Sequence, residues 1–153
     1  MIMQPGRYTE LFFLDEATAL AAGHRPCAEC QRDRFNLFRE YWAKSNPDLA
    51  KTVPPTATAI DAVLHHERTA IDLKQRGLYQ PIDDLPDGAF VTPDEATAYL
   101  VWGHQLWQWQ PDGYQHAATG IVDLPVRVLT PTSIVRTLSA GYPVNIHPSA
   151  RQA

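Results

Sequence analysis

The sequence predicts an α+β protein, a small helical segment followed by a compact, mostly antiparallel β unit with a short helix. Two observations carry this. The longer helical patterns lie in the first half, where Phe35, Phe38 and Trp42 recur at three and four residues. After about residue 85, short β-branched and aromatic runs alternate with the turn signals Pro86-Asp87-Gly88 and Pro111-Asp112-Gly113. Runs of helix followed by runs of strand are the pattern of α+β architecture. Thirteen prolines oppose long helices beyond the first third.

Residues 8–14 are apolar, aromatic and β-branched and read as a short strand. Asp15 is a good N-cap for a helix over residues 16–22 that stops at Gly23. Pro26 breaks the chain before Cys27 and Cys30. A second helix is expected over residues 31–44, with Arg32, Asn36 and Arg39 opposite the apolar stripe, ended by Ser45-Asn46-Pro47. The organisation that follows is a module over residues 1–46, a Pro-rich linker over 47–56, and a helix plus β unit over 57–153 that can pack on the first.

Residues 56–76 read as a third helix with Ile60, Val63, Leu64, Ile71 and Leu73 on its apolar face, stopped by Gly77. Strands are expected over 89–91, 98–102, 105–109, 120–122 and 126–129, with a tight hairpin at Gly103-His104. Thr130-Pro131-Thr132-Ser133 supplies the N-cap region of a helix over 134–140, closed by Gly141, and residues 145–148 form a last extended piece.

Hydrophobic residues make up 44 % of the chain and charged residues 20 %, enough apolar content to bury a core and too much for a disordered chain. With a net charge of −4, the molecule as a whole is not an electrostatic match for nucleic acid, so any such contact needs a local basic patch. No apolar run reaches roughly 18 residues, so no membrane association is expected. The first residues lack the apolar stretch of a signal peptide. Two cysteines three positions apart do not make a disulfide framework, which points to a reducing, cytoplasmic setting.

The chemistry of the sequence is concentrated in Gly23-His24-Arg25-Pro26-Cys27-Ala28-Glu29-Cys30. A C-x2-C turn lets two sulfurs converge on one Zn2+ ion, and a helix that starts just after it stabilises thiolates. The pair also fits two metal-free cysteines or a redox dithiol. Thioredoxin-like dithiols, however, follow a strand within a βαβ unit, whereas this pair follows helix, glycine and proline. His24, three residues before Cys27, is the nearest further ligand. On a helix, the adjacent His65 and His66 point in different directions, so at most one of them can face a shared site. His104, His116 and His147 read as ordinary surface.

The stretch Glu16-Ala-Thr-Ala-Leu-Ala-Ala-Gly-His-Arg-Pro-Cys-Ala-Glu-Cys30 resembles the metal-binding domain of the Ada DNA-repair and methylation-response family, which carries "EALAAGFRPCxRC". The resemblance spans about residues 8–45. It implies that Cys27 and Cys30 are zinc ligands on a small α+β zinc fold, and that basic residues nearby contact DNA in a repair or regulatory role. Arg25, Arg32, Arg34 and Arg39 are the residues in question, and a guanidinium suits phosphate because its planar fork donates two hydrogen bonds at once. Glu29, Asp33 and Glu40 are interleaved with them, as they would be on a solvated, salt-bridged helix.

The family's other two zinc cysteines lie upstream, and their counterparts here would fall at or before Met1. Either the sequence begins late or other groups complete the site. The methyl-accepting cysteine belongs to that absent pair, so methyl transfer is not carried over and no enzymatic activity is expected. Two other readings remain open: an alkyl-accepting zinc thiolate, and a protein-interaction module in which zinc is structural or absent. Trp102, Trp107, Trp109, Tyr99 and Tyr114 fit either a base-stacking platform or a cross-strand core cluster. No Gly-rich phosphate loop, G-x-S-x-G or acid/base carboxylate pair is present.

Overall fold

The computed structural model describes residues 14–68, 79–80, 84–93, 96–116 and 126–151. The fold is α+β, as expected: helices pack on an antiparallel sheet. The expected strand at 8–14 except Leu14, the expected strand at 120–122, and the end of the expected third helix beyond residue 68 lie outside the described residues.

Helix α1 spans Glu16–Ala21. Asp15 caps it by accepting the Thr18 N–H at 2.8 Å. Its exit is a paired cap: the Gly23 N–H reaches Leu20 O at 2.9 Å and the His24 N–H reaches Ala19 O at 2.9 Å. This closure needs a left-handed residue, and Gly23 has φ 89°. Helix α2 spans Arg32–Ser45 and buries Phe35, Phe38 and Trp42, the stripe expected from their spacing. Helix α3 spans Ala57–Arg68 and buries Ile60 and Leu64.

The sheet has six described strands, and every described pairing is antiparallel. Strands β2 (Phe90–Thr92), β3 (Tyr99–Trp102), β4 (Gln105–Gln110) and β5 (Gly113–His116) form a meander. Strand β6 (Val126–Val128) returns to pair with β2, and β1 (Tyr79–Gln80) lies outside it. The expected hairpin is present: Trp102 pairs with Gln105 across Gly103 (φ 63°) and His104 (φ 61°). Two left-handed residues give the twist that two-residue hairpins favour. Strands β1 and β5 were not expected.

Side chains alternate across the sheet. Phe90, Leu100, Trp107 and Tyr114 join Leu20, Phe35, Phe38, Trp42, Ile60 and Leu64 in one core, so the residues on either side of the Pro-rich stretch share a single apolar interior. Val91, Tyr99, Val101, Leu106, Val126 and Val128 pack on the opposite face. Trp102 and Trp109 lie half-buried against the first cluster, and Trp109 pairs across strands with Tyr114. The aromatic strand residues are thus core rather than an open stacking surface.

Helix α4 spans Thr132–Ser139 and packs on α2. The expected side-chain cap from Thr130 to Ser133 is not made: Pro131 occupies the cap position without a side-chain bond. Glu67 of α3 takes that role, accepting the Ser133 N–H at 3.0 Å and the Ser133 hydroxyl at 2.7 Å. A carboxylate suits this place because helix N-termini leave N–H groups unpaired. The chain then runs without regular structure over 142–147, where the Val144 N–H reaches Tyr142 O at 2.9 Å, into a 3-10 turn, Pro148–Arg151, against β5.

Candidate metal centre

The Cys27–Cys30 turn is held from both sides. Upstream, the cap at Gly23 aims the chain out of α1, and Arg25 pins the segment. Its Nε and Nη2 donate to the two Asp61 carboxylate oxygens on α3, each at 3.0 Å, and its Nη1 donates to Pro26 O at 2.9 Å. The Arg25 guanidinium also lies 5.2 Å from the centre of the buried Phe35 ring. Downstream, Gln31 N–H closes onto Cys27 O at 3.0 Å and α2 begins at once. Within the turn, the Cys30 N–H points at Cys27 Sγ at 3.3 Å.

That last contact favours a thiolate at Cys27, since an N–H aimed at sulfur stabilises negative charge there. The backbone N–H groups of Cys30 and then Glu29, with the Cys30 side chain, lower the Cys27 pKa from its ordinary value. The Cys30 pKa moves up, chiefly through its side-chain hydrogen bond to Cys27. Both sulfurs are free; Cys27 is half-buried and Cys30 exposed.

Two cysteines would supply only half of a zinc tetrahedron. Among the described residues, no group of three or more His, Cys, Asp or Glu side chains is placed to hold a metal ion. His24 lines a separate polar cleft of about 380 Å³ with Gly23, Arg25, Asp61 and His65. Asp61 and His65 are four residues apart on α3 and so share a face. His66 does not line the cleft, in keeping with the divergence expected of adjacent histidines. The spacing of Asp61 and His65 was visible in the sequence; that their face meets His24 was not.

The four arginines divide into two pairs. Arg25 spends its fork on Asp61. Arg34 is tied to Glu16 of α1, to the Tyr142 hydroxyl at 3.0 Å and to Pro143 O at 2.8 Å, and its guanidinium lies 5.0 Å from the Tyr142 ring centre. Arg32 is exposed. Arg39 bonds Asn36 Oδ1 at 3.0 Å and borders the Phe35 ring at 5.1 Å. Arg32 and Arg39 are seven residues apart on α2, which places them on one face about 10 Å apart along the axis.

His147, expected at the surface, is instead half-buried and anchored. Its N–H donates to Asp15 Oδ2 at 2.8 Å, and its Nδ1 lies 2.8 Å from Ser149 Oγ. His104 and His116 are exposed, as expected.

No family model, curated protein or solved structure matches this chain. Among the described residues, no helix is long and apolar enough to cross a membrane.

Proposed function

We propose that this protein binds zinc through Cys27 and Cys30 in a reducing, cytoplasmic setting, and that the adjacent face of α2 contacts DNA in a repair or regulatory role. The observation that carries the zinc assignment is the Cys30 N–H directed at Cys27 Sγ on a turn fixed by the Gly23 cap and the Arg25–Asp61 clamp. Metal-binding C-x2-C turns need this preorganisation, because two thiolates held a few ångströms apart repel until a cation joins them. The Ada-like sequence around the turn points the same way.

The DNA contact rests on that resemblance together with the disposition of Arg32 and Arg39. Among the described residues, neither guanidinium has a carboxylate partner like those of Arg25 and Arg34. Phosphate binding by this pair is a weak, salt-sensitive interaction, in keeping with the net negative charge.

The test is elemental analysis of the purified protein beside Cys27→Ser and Cys30→Ser variants, followed by duplex DNA binding across a salt series. Bound zinc that is lost in both variants supports the metal site. DNA affinity that falls with salt and weakens in R32E/R39E, with the fold intact by circular dichroism, supports the interface. A folded protein that takes up no zinc would overturn the first assignment, and salt-independent or absent DNA binding would overturn the second. A single methyl added to one cysteine after treatment with a methylating agent would favour the alkyl-accepting alternative.

A further inference from the structure

We propose that the cleft between the exit of α1 and α3, walled by His24, Arg25, Asp61 and His65, binds the phosphate group of a small phosphate monoester. The site is separate from the Cys27–Cys30 turn and does not depend on a metal bound there.

Two elements build the cleft, and its volume of about 380 Å³ lies in the range of small-ligand sites. The cap of α1 fixes where the His24 side chain begins, through the Gly23 N–H on Leu20 O and the His24 N–H on Ala19 O. Gly23, at φ 89°, brings no side chain, so this part of the wall is backbone. Asp61 and His65 stand one turn apart on α3 and face the cap across the cleft.

The donors and the charge fit an anion. An arginine has five N–H donors. Arg25 gives three of them to Asp61 and Pro26, which leaves one on each terminal nitrogen. The Arg25–Asp61 ion pair is neutral as a unit, and an imidazole is neutral or positive, so the four ionisable side chains together never carry net negative charge. Each imidazole also carries at least one ring N–H in either tautomer. A cation is disfavoured here, because both Asp61 oxygens accept from Arg25, whose charge repels a metal ion.

Geometry selects phosphate among anions. A phosphate monoester presents three strong acceptor oxygens around one centre. Two imidazoles from different elements and a guanidinium can surround such a group. A flat carboxylate instead pairs best with one planar fork, and the Nε–Nη2 edge of Arg25 is taken by Asp61. Asp61, Pro26 and the Phe35 ring hold the Arg25 guanidinium in place before a ligand arrives, which lowers the ordering cost of binding.

The test is imidazole 1H–15N NMR of the full chain at neutral pH, titrated with inorganic phosphate and then with ribose 5-phosphate, against sodium chloride at matched ionic strength. The His24 and His65 signals should move together along one saturable curve, while those of the exposed His104 and His116 stay in place. His65→Asn should weaken binding by at least about tenfold, and His66→Asn, whose side chain does not line the cleft, should not. Tighter binding of the ester would show that the cleft also takes the organic body, and tighter binding of inorganic phosphate that it takes the free ion. Equal shifts with chloride, equal shifts at His104 and His116, or unchanged affinity in folded His65→Asn would overturn the proposal. None of these outcomes bears on the zinc or DNA assignments, which are read by elemental analysis and by duplex binding.

Discussion

Glu16, in the first turn of α1, and Arg34 of α2 form an ion pair that also fastens the end of the chain. The Glu16 carboxylate accepts the Tyr142 hydroxyl at 2.8 Å and the Asn145 N–H at 3.0 Å, while Arg34 donates to Pro143 O at 2.8 Å. One carboxylate and one guanidinium thus hold three separate segments together. Both side chains are mostly buried, so each depends on the other for compensation.

Arg34→Met should therefore destabilise the fold by about 1.5–3 kcal/mol, the range for hydrogen bonds to charged groups. Glu16→Gln should cost a similar amount, and the double variant less than the sum, because the two share one network. Urea denaturation of the four proteins checks this. Strict additivity would show that the two residues act independently.

Tyr114 donates to Asp15 Oδ2 at 2.7 Å, beside the α1 cap. Burial, and then the Asp15 charge, push its phenol well above the ordinary tyrosine pKa. Burial and Glu16 do the same to Tyr142. Both phenols keep their protons in the fold and release them on unfolding once the pH passes about 10. Stability should accordingly fall as pH rises above that value. In ultraviolet titration, Tyr114→Phe and Tyr142→Phe should each reduce by one the number of tyrosines that ionise only with unfolding.

Gly88 sits with φ +100° in the turn before β2, where an added Cβ would lie 2.8 Å from Val144 Cγ1 and 3.2 Å from Leu138 Cδ2. Gly88→Ala should lower stability by roughly 1–3 kcal/mol through overpacking and backbone strain together. Gly103→Ala has the same left-handed backbone but open space around it, and should cost less. Equal thermal shifts in the two variants would assign the cost to backbone alone.

Glu67 is held above the ordinary carboxylate range chiefly by burial, with the two Ser133 bonds opposing. The folded state then binds this proton more tightly than the unfolded chain does. Its contribution to stability is full below the unfolded value and is lost as pH rises through the folded one. Glu67→Gln should flatten that part of the stability–pH curve. Carbon-detected NMR of the Glu67 carboxyl should show its midpoint above those of exposed glutamates; a midpoint at or below theirs would refute the desolvation argument.

Much of the frame was legible in the sequence because its signals are local. Asp15 and Gly23 bound α1 through bonds three to five residues long, Phe35, Phe38 and Trp42 mark the buried face of α2 by spacing alone, and Gly103-His104 names its own hairpin. The α+β class follows from the change in these patterns along the chain. The turn carrying Cys27 and Cys30 was likewise visible, since both sulfurs and the N–H that meets one of them lie within four residues.

What only the tertiary structure decided involves partners far apart in the chain. Strand β5 is short and polar at its end, and becomes a strand because Tyr114 pairs opposite Trp109 and its ring enters the core. Glu67 caps α4 from 66 residues away, displacing the local hydroxyls that composition favoured. Arg25 and Arg34 carry the same guanidinium as Arg32, but folding brings carboxylates to the first two and leaves the third exposed. Residue type and spacing determine which groups can act, because those properties are written within a few residues. Which groups remain free to act depends on distances set by packing of the whole core.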